Sequence, residues 1–277
     1  PYVIDRILTD APANNVDTDI RPGDRLVAVN GVKVSEKANR ESYFTSSLPV
    51  EEITLTLDRG GRDFDVKLHT IAYGTLKNML YTEWEDQRKA MVDEKTGGRV
   101  AYIHMRDMTD GSLYPFLMAM HTDALILDLR YNNGGNVHKE VLDFLRQQEH
   151  FRWSYRDFTP NSHPNVTPGD KPIVVLVNER SLSDAEVTSN GIKTLGIAKI
   201  VGTETYRWII FTSGVSFMDG SYSRMPAWGC YSLKGEDLES TGVKPDIYVK
   251  NTFTDRLYGK DPQLDAAIAE VLKELAE

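Results

Sequence analysis

Four short apolar runs from residue 100 onward, separated by helical segments, constrain the fold more than any other feature. They are Val100 to Ile103, Ala124 to Leu127, Ile173 to Val177 and residues 197–201. Such alternation argues for a layered α/β domain, a βα sheet with helices on its faces. A final helix carries Leu264, Ala267, Ile268, Val271, Leu272 and Leu275 on one side. Asp261 is placed to cap it, and Pro262 takes the first helical position, where a missing N–H costs nothing.

The first part of the chain has a different period. Ile53 to Leu57 and Phe64 to Leu68 alternate with period two around Arg59-Gly60-Gly61-Arg62, which predicts a hairpin. Arg21-Pro22-Gly23-Asp24-Arg25-Leu26-Val27-Ala28-Val29-Asn30-Gly31-Val32 adds strands around an Asn-Gly turn. Residues 1–72 therefore read as a small, mostly-β domain, with a further strand expected from Tyr2 to Leu8. A helical linker follows over residues 73–98. Its helix is predicted from about Thr75 to Met91 and anchored by Leu76, Leu80, Trp84 and Met91. Paired glycines, Gly97 and Gly98, break it. The α/β domain occupies residues 99–277.

Composition sets further bounds. A chain of 277 residues has room for two domains. Its 41 Asp and Glu against 32 Lys and Arg give a formal net charge of −9. No basic stripe is visible, so nucleic acid is not expected as the main partner. No apolar stretch approaches the ~18 residues needed to span a bilayer. The single cysteine, Cys230, excludes an intrachain disulfide and a cysteine-based metal cluster, and no cofactor is expected. The chain opens at Pro1 and reads as part of a longer protein, so it assigns no compartment.

Two motifs carry chemistry. In Ser181-Leu182-Ser183-Asp184-Ala185-Glu186 a buried strand ends in a polar turn and opens into a helix of about Ala185 to Leu195. A hydroxyl there sits at the positive end of a helix, among unpaired amides that favour an oxyanion. Serine nucleophiles are often held this way, though an N-cap serine looks the same in sequence. The second motif is Asp128-Leu129-Arg130-Tyr131-Asn132-Asn133-Gly134-Gly135-Asn136, ahead of an amphipathic helix with Val137, Val141, Leu142 and Leu145 on one side. Gly134 and Gly135 let backbone N–H groups approach a ligand and stabilise a developing oxyanion.

In this order and spacing the motifs resemble the C-terminal processing peptidases, and most closely their tricorn branch. Arg130-Tyr131-Asn132-Asn133-Gly134-Gly135 is similar to that branch's Arg-aromatic-Asn-Gly-Gly-Gly, with one glycine replaced. Leu182-Ser183-Asp184 is similar to its Gly-Ser-Asp turn. Glu239-Ser240-Thr241-Gly242-Val243-Lys244-Pro245-Asp246 and Gly259-Lys260-Asp261-Pro262-Gln263-Leu264-Asp265 complete the likeness. The resemblance implies a crotonase-like or Clp-protease-like catalytic domain preceded by a PDZ-like domain, the latter through Gly23-Asp24 and Val29-Asn30-Gly31. It implies Ser183 as nucleophile and an oxyanion hole from the Asp184 amide and a Gly134 or Gly135 amide. Glu239 would orient a catalytic histidine through an upstream serine. Peptides or unfolded proteins are the implied substrates, and self-association is admitted.

The general base is the gap. The lysine of the processing-peptidase branch falls at Trp208, within Tyr206-Arg207-Trp208, and Lys193 and Lys199 are off register. Among His69, His104, His121, His138, His150 and His163, none follows a serine as in the tricorn motif; His163 follows Ser162, but far from that position. His104 matches a structural histidine, and His138, in the first turn after the glycine motif, is the least implausible substitute but reaches the site only if its side chain turns away from its own helix. The resemblance therefore implies a histidine from sequence before Pro1. An aspartate that favours basic substrates in tricorn falls near Ser154, so that preference does not carry over. A serine peptidase is the leading reading. A catalytically inactive peptide-binding relative is the alternative, and an acyl-CoA enzyme is disfavoured because Ser183 would have no role.

Overall fold

The computed structural model describes residues 2–15, 17–118, 122–160 and 167–277. His121, Ser162 and His163 lie outside the described residues. One compact unit ends at Gln87 and a second runs from Arg88 to Glu277.

The first unit is a four-stranded antiparallel sheet of β1 (Arg25–Val29), β2 (Val32–Lys33), β3 (Glu52–Arg59) and β4 (Arg62–His69), in the order β2-β1-β3-β4. Alternation along β3 turns Leu55 and Leu57 onto one face, where they pack with Ile20 and Val29. Beneath the sheet, buried Asp24 accepts bonds from Arg59 Nε at 2.7 Å and from the Arg21 amide at 2.8 Å. The Arg59 bond holds the Asp24 carboxyl below its ordinary range against the opposing effect of burial. The strand expected from Tyr2 to Leu8 does not form; Val3 makes one isolated bridge to Arg25. Its polar residues Asp5 and Arg6 break the alternation a paired strand needs.

Helix α1 (Tyr73–Thr96) is longer than the linker helix expected, and the boundary between the units falls inside it. Leu80 is exposed rather than an anchor. The buried seam is Arg88, Val92 and Thr96, spaced one turn apart.

The second unit is built on a five-stranded parallel sheet. Its strands are β5 (Val100–His104), β6 (Ala124–Asp128), β7 (Ile173–Val177), β8 (Lys199–Gly202) and, later in the chain, β11 (Ile247–Tyr248). The order is β11-β8-β7-β6-β5. Helices α2 (Asp110–Met118), α3 (His138–Leu145) and α4 (Asp184–Thr194) cover one face, and α7 (Pro262–Glu274) the other. Leu125, Leu127, Val175 and Val177 point to the first face; Ala124, Ile126, Val174 and Leu176 point to the second. Burial on both sides is why these strands read as unbroken apolar runs. Each fully buried Leu, Ile or Val contributes roughly 1.5–3 kcal/mol. Between β8 and β11 lie an antiparallel hairpin that the sequence did not announce, β9 (Phe211–Ser216) with β10 (Tyr222–Trp228), and the one-turn helix α5 (Leu238–Thr241). A short helix, α6 (Phe253–Leu257), precedes α7.

A buried ionic network anchors the strand end that leads to the glycine motif. Arg130, almost wholly enclosed, donates to Asp128 from Nε at 3.0 Å and to Asp261 at 2.7 Å. Asp261 also caps α7 through the Leu264 amide at 3.1 Å and accepts from Asn251 and Arg88. Burial pushes the Asp128 carboxyl up, but Arg130 outweighs it and holds the group far below the usual carboxylate range. Asp261 is held below its ordinary range by the same balance, and burial pushes Tyr102, which donates to Asp128 at 2.8 Å, well above its ordinary range. Because the two carboxyls bind protons less readily folded than unfolded, their stabilisation is complete above about pH 4 and is lost as pH falls below it. Asp128→Asn leaves Arg130 short of a counter-charge and should cost about 3–5 kcal/mol in the unfolding transition of this unit. Urea denaturation monitored across pH 2–7 checks this, and the variant should show a flatter acid limb. An unchanged midpoint contradicts the assignment.

Candidate active site

The loops that follow β5, β6, β7 and β8 all leave the same edge of the sheet, the carboxyl end where open parallel sheets hold ligands. Side chains stitch these loops together. Asn132 Nδ2 donates to the Met105 carbonyl at 2.8 Å, while its Oδ1 accepts the Gly134 amide at 2.8 Å. Ser181 Oγ donates to the Leu129 carbonyl at 2.7 Å, and the Leu182 amide donates to the Asn132 carbonyl at 3.1 Å. The glycine motif and the serine turn, 50 residues apart in sequence, are thereby pressed together (Asn132 and Leu182).

Two glycines make that approach feasible. A Cβ on Gly134, whose φ is +78°, would lie 2.6 Å from Ser183 Cβ, so the serine turn rests directly on this backbone. A Cβ on Gly135 would lie 1.9 Å from the Met108 carbonyl oxygen. The Met108 amide donates to the Gly134 carbonyl at 2.8 Å and the Asn136 amide to the Met108 carbonyl at 2.8 Å. That bridge leaves the Gly135 amide outside the ladder. Of the two amides expected as oxyanion donors, Gly134's is committed to Asn132; Gly135's is the one the geometry leaves available.

Ser183 has φ 56° and ψ −118°, a conformation few non-glycine residues adopt and one that costs about 1–3 kcal/mol. What holds it is Glu186, a fully buried carboxylate that the sequence reading overlooked. Its oxygens accept the Ser183 amide at 2.9 Å, the Thr205 hydroxyl at 2.7 Å, the Arg207 amide at 2.7 Å and the Trp208 amide at 2.9 Å. The signal was present as the capping-box spacing Ser183-x-x-Glu186. Asp184 begins α4, so its amide is among those without an intrahelical acceptor. Its carboxylate accepts the Val137 and His138 amides at 2.8 and 3.0 Å and meets His138 Nδ1 at 2.5 Å.

Ser183 stands at the meeting of two cavities. One, about 500 Å³, is walled by Leu182, Trp208, Ile210 and Pro226, with Arg224 and Thr212. The other, about 280 Å³, includes Gly135, Asn136 and Asp184 in its lining. Among the residues lining either one there is no histidine or lysine. His138 is turned to Asp184, and His104, its side chain buried, lies 3.8 Å from Asp128. Lys193 pairs with Asp246 and Lys199 with Glu270 and Glu274; these pairings hold the Lys199 ammonium well above its usual range. Trp208 lines the larger cavity and stacks on Tyr206 with ring centroids 5.7 Å apart. Ser154 lies exposed and donates to the Phe158 carbonyl. Glu239 lies exposed on α5 and is not among the lining residues of either cavity. Its segment is nonetheless tied to the site, because the Val243 amide donates to Thr205 Oγ1 at 2.9 Å and that hydroxyl bonds Glu186. Cys230 is half-buried; burial, then Asp237 and Glu186, push its thiol up, away from nucleophilic use. Among the described residues no cluster of His, Cys, Asp and Glu could hold a metal, and no helix is long and apolar enough to cross a membrane.

The parallel sheet thus carries a strained serine at a strand–helix turn, seated on a glycine loop. The chain belongs to peptidase family S41, whose model matches residues 99–249, just over half of its length. It is 32% identical to tricorn protease homolog 1 of Streptomyces coelicolor over 99% of this chain and 27% of that protein. It is 30% identical to the tricorn protease of Thermoplasma acidophilum over 70% of this chain and 19% of that protein. The crystal structure of a tricorn protease superposes on 92% of this chain and 25% of its own, with a TM-score of 0.76 at 24% identity. The chain thus spans about a quarter or less of the length of these relatives.

Glu186→Gln tests the role of the buried carboxylate. An amide has one acceptor oxygen for four donors, so partners go unmet and the turn should loosen by about 1–3 kcal/mol. Hydrogen exchange at the Ser183, Arg207 and Trp208 amides should accelerate by roughly tenfold or more. Unchanged protection contradicts the role.

Proposed function

We propose that this chain carries the nucleophile-bearing part of a tricorn-like serine peptidase that cleaves peptides or unfolded proteins through an acyl-enzyme on Ser183. The observation that carries the reading is Ser183 itself, at φ 56° and packed on the Gly134 backbone between two cavities. In this reading Ser183 Oγ attacks the scissile carbonyl carbon as its proton passes to a base. The Asp184 and Gly135 amides receive the charge that develops on the carbonyl oxygen. The peptide C–N bond breaks, the amine leaves with the proton, and water then hydrolyses the ester on Ser183.

The base is proposed to be a histidine contributed by sequence outside this chain. Support comes from the cavity linings, whose ionisable side chains are Asp184 and Arg224. The first is engaged by three donors, and a guanidinium does not lose its proton. Glu239 keeps the role of orienting the histidine through a serine of that same outside sequence; its exposure and the tie of its segment through Val243 and Thr205 to Glu186 support this. The four-stranded first unit is read as the PDZ-like module of such an enzyme, and self-association belongs to the same proposal.

The chain alone should hydrolyse peptides no faster than background, whereas a longer protein that supplies the histidine should turn over. In that protein Ser183→Ala should lower kcat by about 10³-fold or more, and Glu239→Gln should lower it less, since it orients the base and forms no bond. Steady-state peptide hydrolysis checks both. Full activity after Ser183→Ala rejects the peptidase reading, and full activity after Glu239→Gln rejects only the role of Glu239.

A further inference from the structure

We propose that Arg224 makes the cleft beside Ser183 a receptor for a substrate carboxylate, so that the site prefers an acidic peptide residue close to the scissile bond. The inference rests on Ser183 being the nucleophile and names the substrate class of that site.

The placement follows from the hairpin. Arg224 and Pro226 are two residues apart on β10, and Thr212 pairs with Pro226 across the ribbon, so all three share one face. That face closes the larger cavity opposite Leu182 and Ser183. Thr212 Oγ1 accepts from Arg224 Nε at 3.3 Å and from a terminal nitrogen at 2.9 Å, which fixes the guanidinium on this wall. An arginine has five N–H donors in a planar fork. Thr212 occupies two, and three remain for a ligand.

Charge is the second part of the argument. Among the described residues Arg224 has no carboxylate in ion-pair contact. The two carboxylates of the serine turn are already engaged: Asp184 by three donors at the start of α3, and Glu186 by four beneath the turn. Arg224 also lines the second cavity, so it faces Ser183 from both. The remaining walls of the larger cavity are mostly apolar, from Leu182, Trp208, Ile210 and Pro226. Apolar walls weaken solvent screening and strengthen a charge pair formed between them. A planar carboxylate matches the free edge of the fork, and a lysine side chain at the same place would be repelled. If Arg224 served only to clip the hairpin to Thr212, substrate charge would not register.

Calorimetric titration of the full chain carrying Ser183→Ala, so that nothing is turned over, tests this. The ligands are blocked, amidated hexapeptides in which Glu, Gln or Lys is walked through every position. At one position Glu should bind about tenfold more tightly than Gln, and Lys more weakly than either. The gain should shrink as salt is raised. Arg224→Gln should erase the difference, Arg224→Lys should keep part of it, and Arg224→Glu should reverse the preference toward Lys. Arg224 is exposed, so these variants should keep the wild-type circular dichroism. A Gln peptide with a free carboxyl terminus separates the two sources of carboxylate; an Arg224-dependent gain there moves the recognised group to the peptide end and keeps the site. Equal affinity for all charges, a preference that survives Arg224→Gln, or no binding up to about 1 mM overturns the proposal. Ser183-dependent turnover without a charge preference rejects this inference alone. A charge preference without Ser183-dependent turnover in the longer protein that supplies the histidine rejects the peptidase reading alone.

Discussion

The site depends on one buried carboxylate. Glu186 gathers the amide of the strained Ser183, two amides of the loop after β8 and the Thr205 hydroxyl. Removing a carboxylate from water is expensive unless its lone pairs are filled, and here four donors fill them. The bonds act in two directions. They offset the cost of the serine's conformation, and they aim the residues after β8 so that Trp208 and the β9–β10 hairpin wall the cavity at Ser183. Through Thr205 the same carboxylate reaches Val243 and the segment that follows α5. A serine turn, a cavity wall and the Glu239 segment are positioned by one anion.

A second buried network sets the other half. Arg130, between Asp128 and Asp261, joins the end of β6 to the cap of α7. The residues that follow it, Asn132 to Gly135, then have one path, across Met105 and Met108 and under the serine turn. Helix packing on the opposite face of the sheet is thereby coupled to where the glycine backbone meets Ser183. The five-residue parallel strands supply the rigid edge on which both networks sit.

How much of this was legible depends on how each element is stabilised. Strands β5, β6 and β7 are buried on both faces, so their residues are uniformly apolar and readable. The meeting of Ser183 with the Gly134-Gly135 pair was legible because a strand–helix turn that lets another turn rest on its backbone needs residues without a Cβ there. Which glycine amide stays free was not, since it turns on the side chain of Asn132. The β9–β10 hairpin was missed because its faces are largely solvated and it contains Gly214 and Pro226, residues depleted from strands. Its one local signal was Asp219-Gly220 at the turn. Leu80 fits an anchor by helical period, but the buried seam of α1 is Arg88, Val92 and Thr96, and Val92 enters a cluster completed by residues as distant as Val174 and Leu264, which no local period reveals.

The central claim is that Ser183 attacks a peptide carbonyl whose oxygen is received by the Asp184 and Gly135 amides. The direct measurement is a crystal structure of the full-length enzyme reacted with a peptide aldehyde. The account predicts a hemiacetal on Ser183 Oγ, its oxygen about 2.7–3.1 Å from both amide nitrogens. A hemiacetal oxygen directed away from those amides, or an aldehyde bound at another residue, would contradict it.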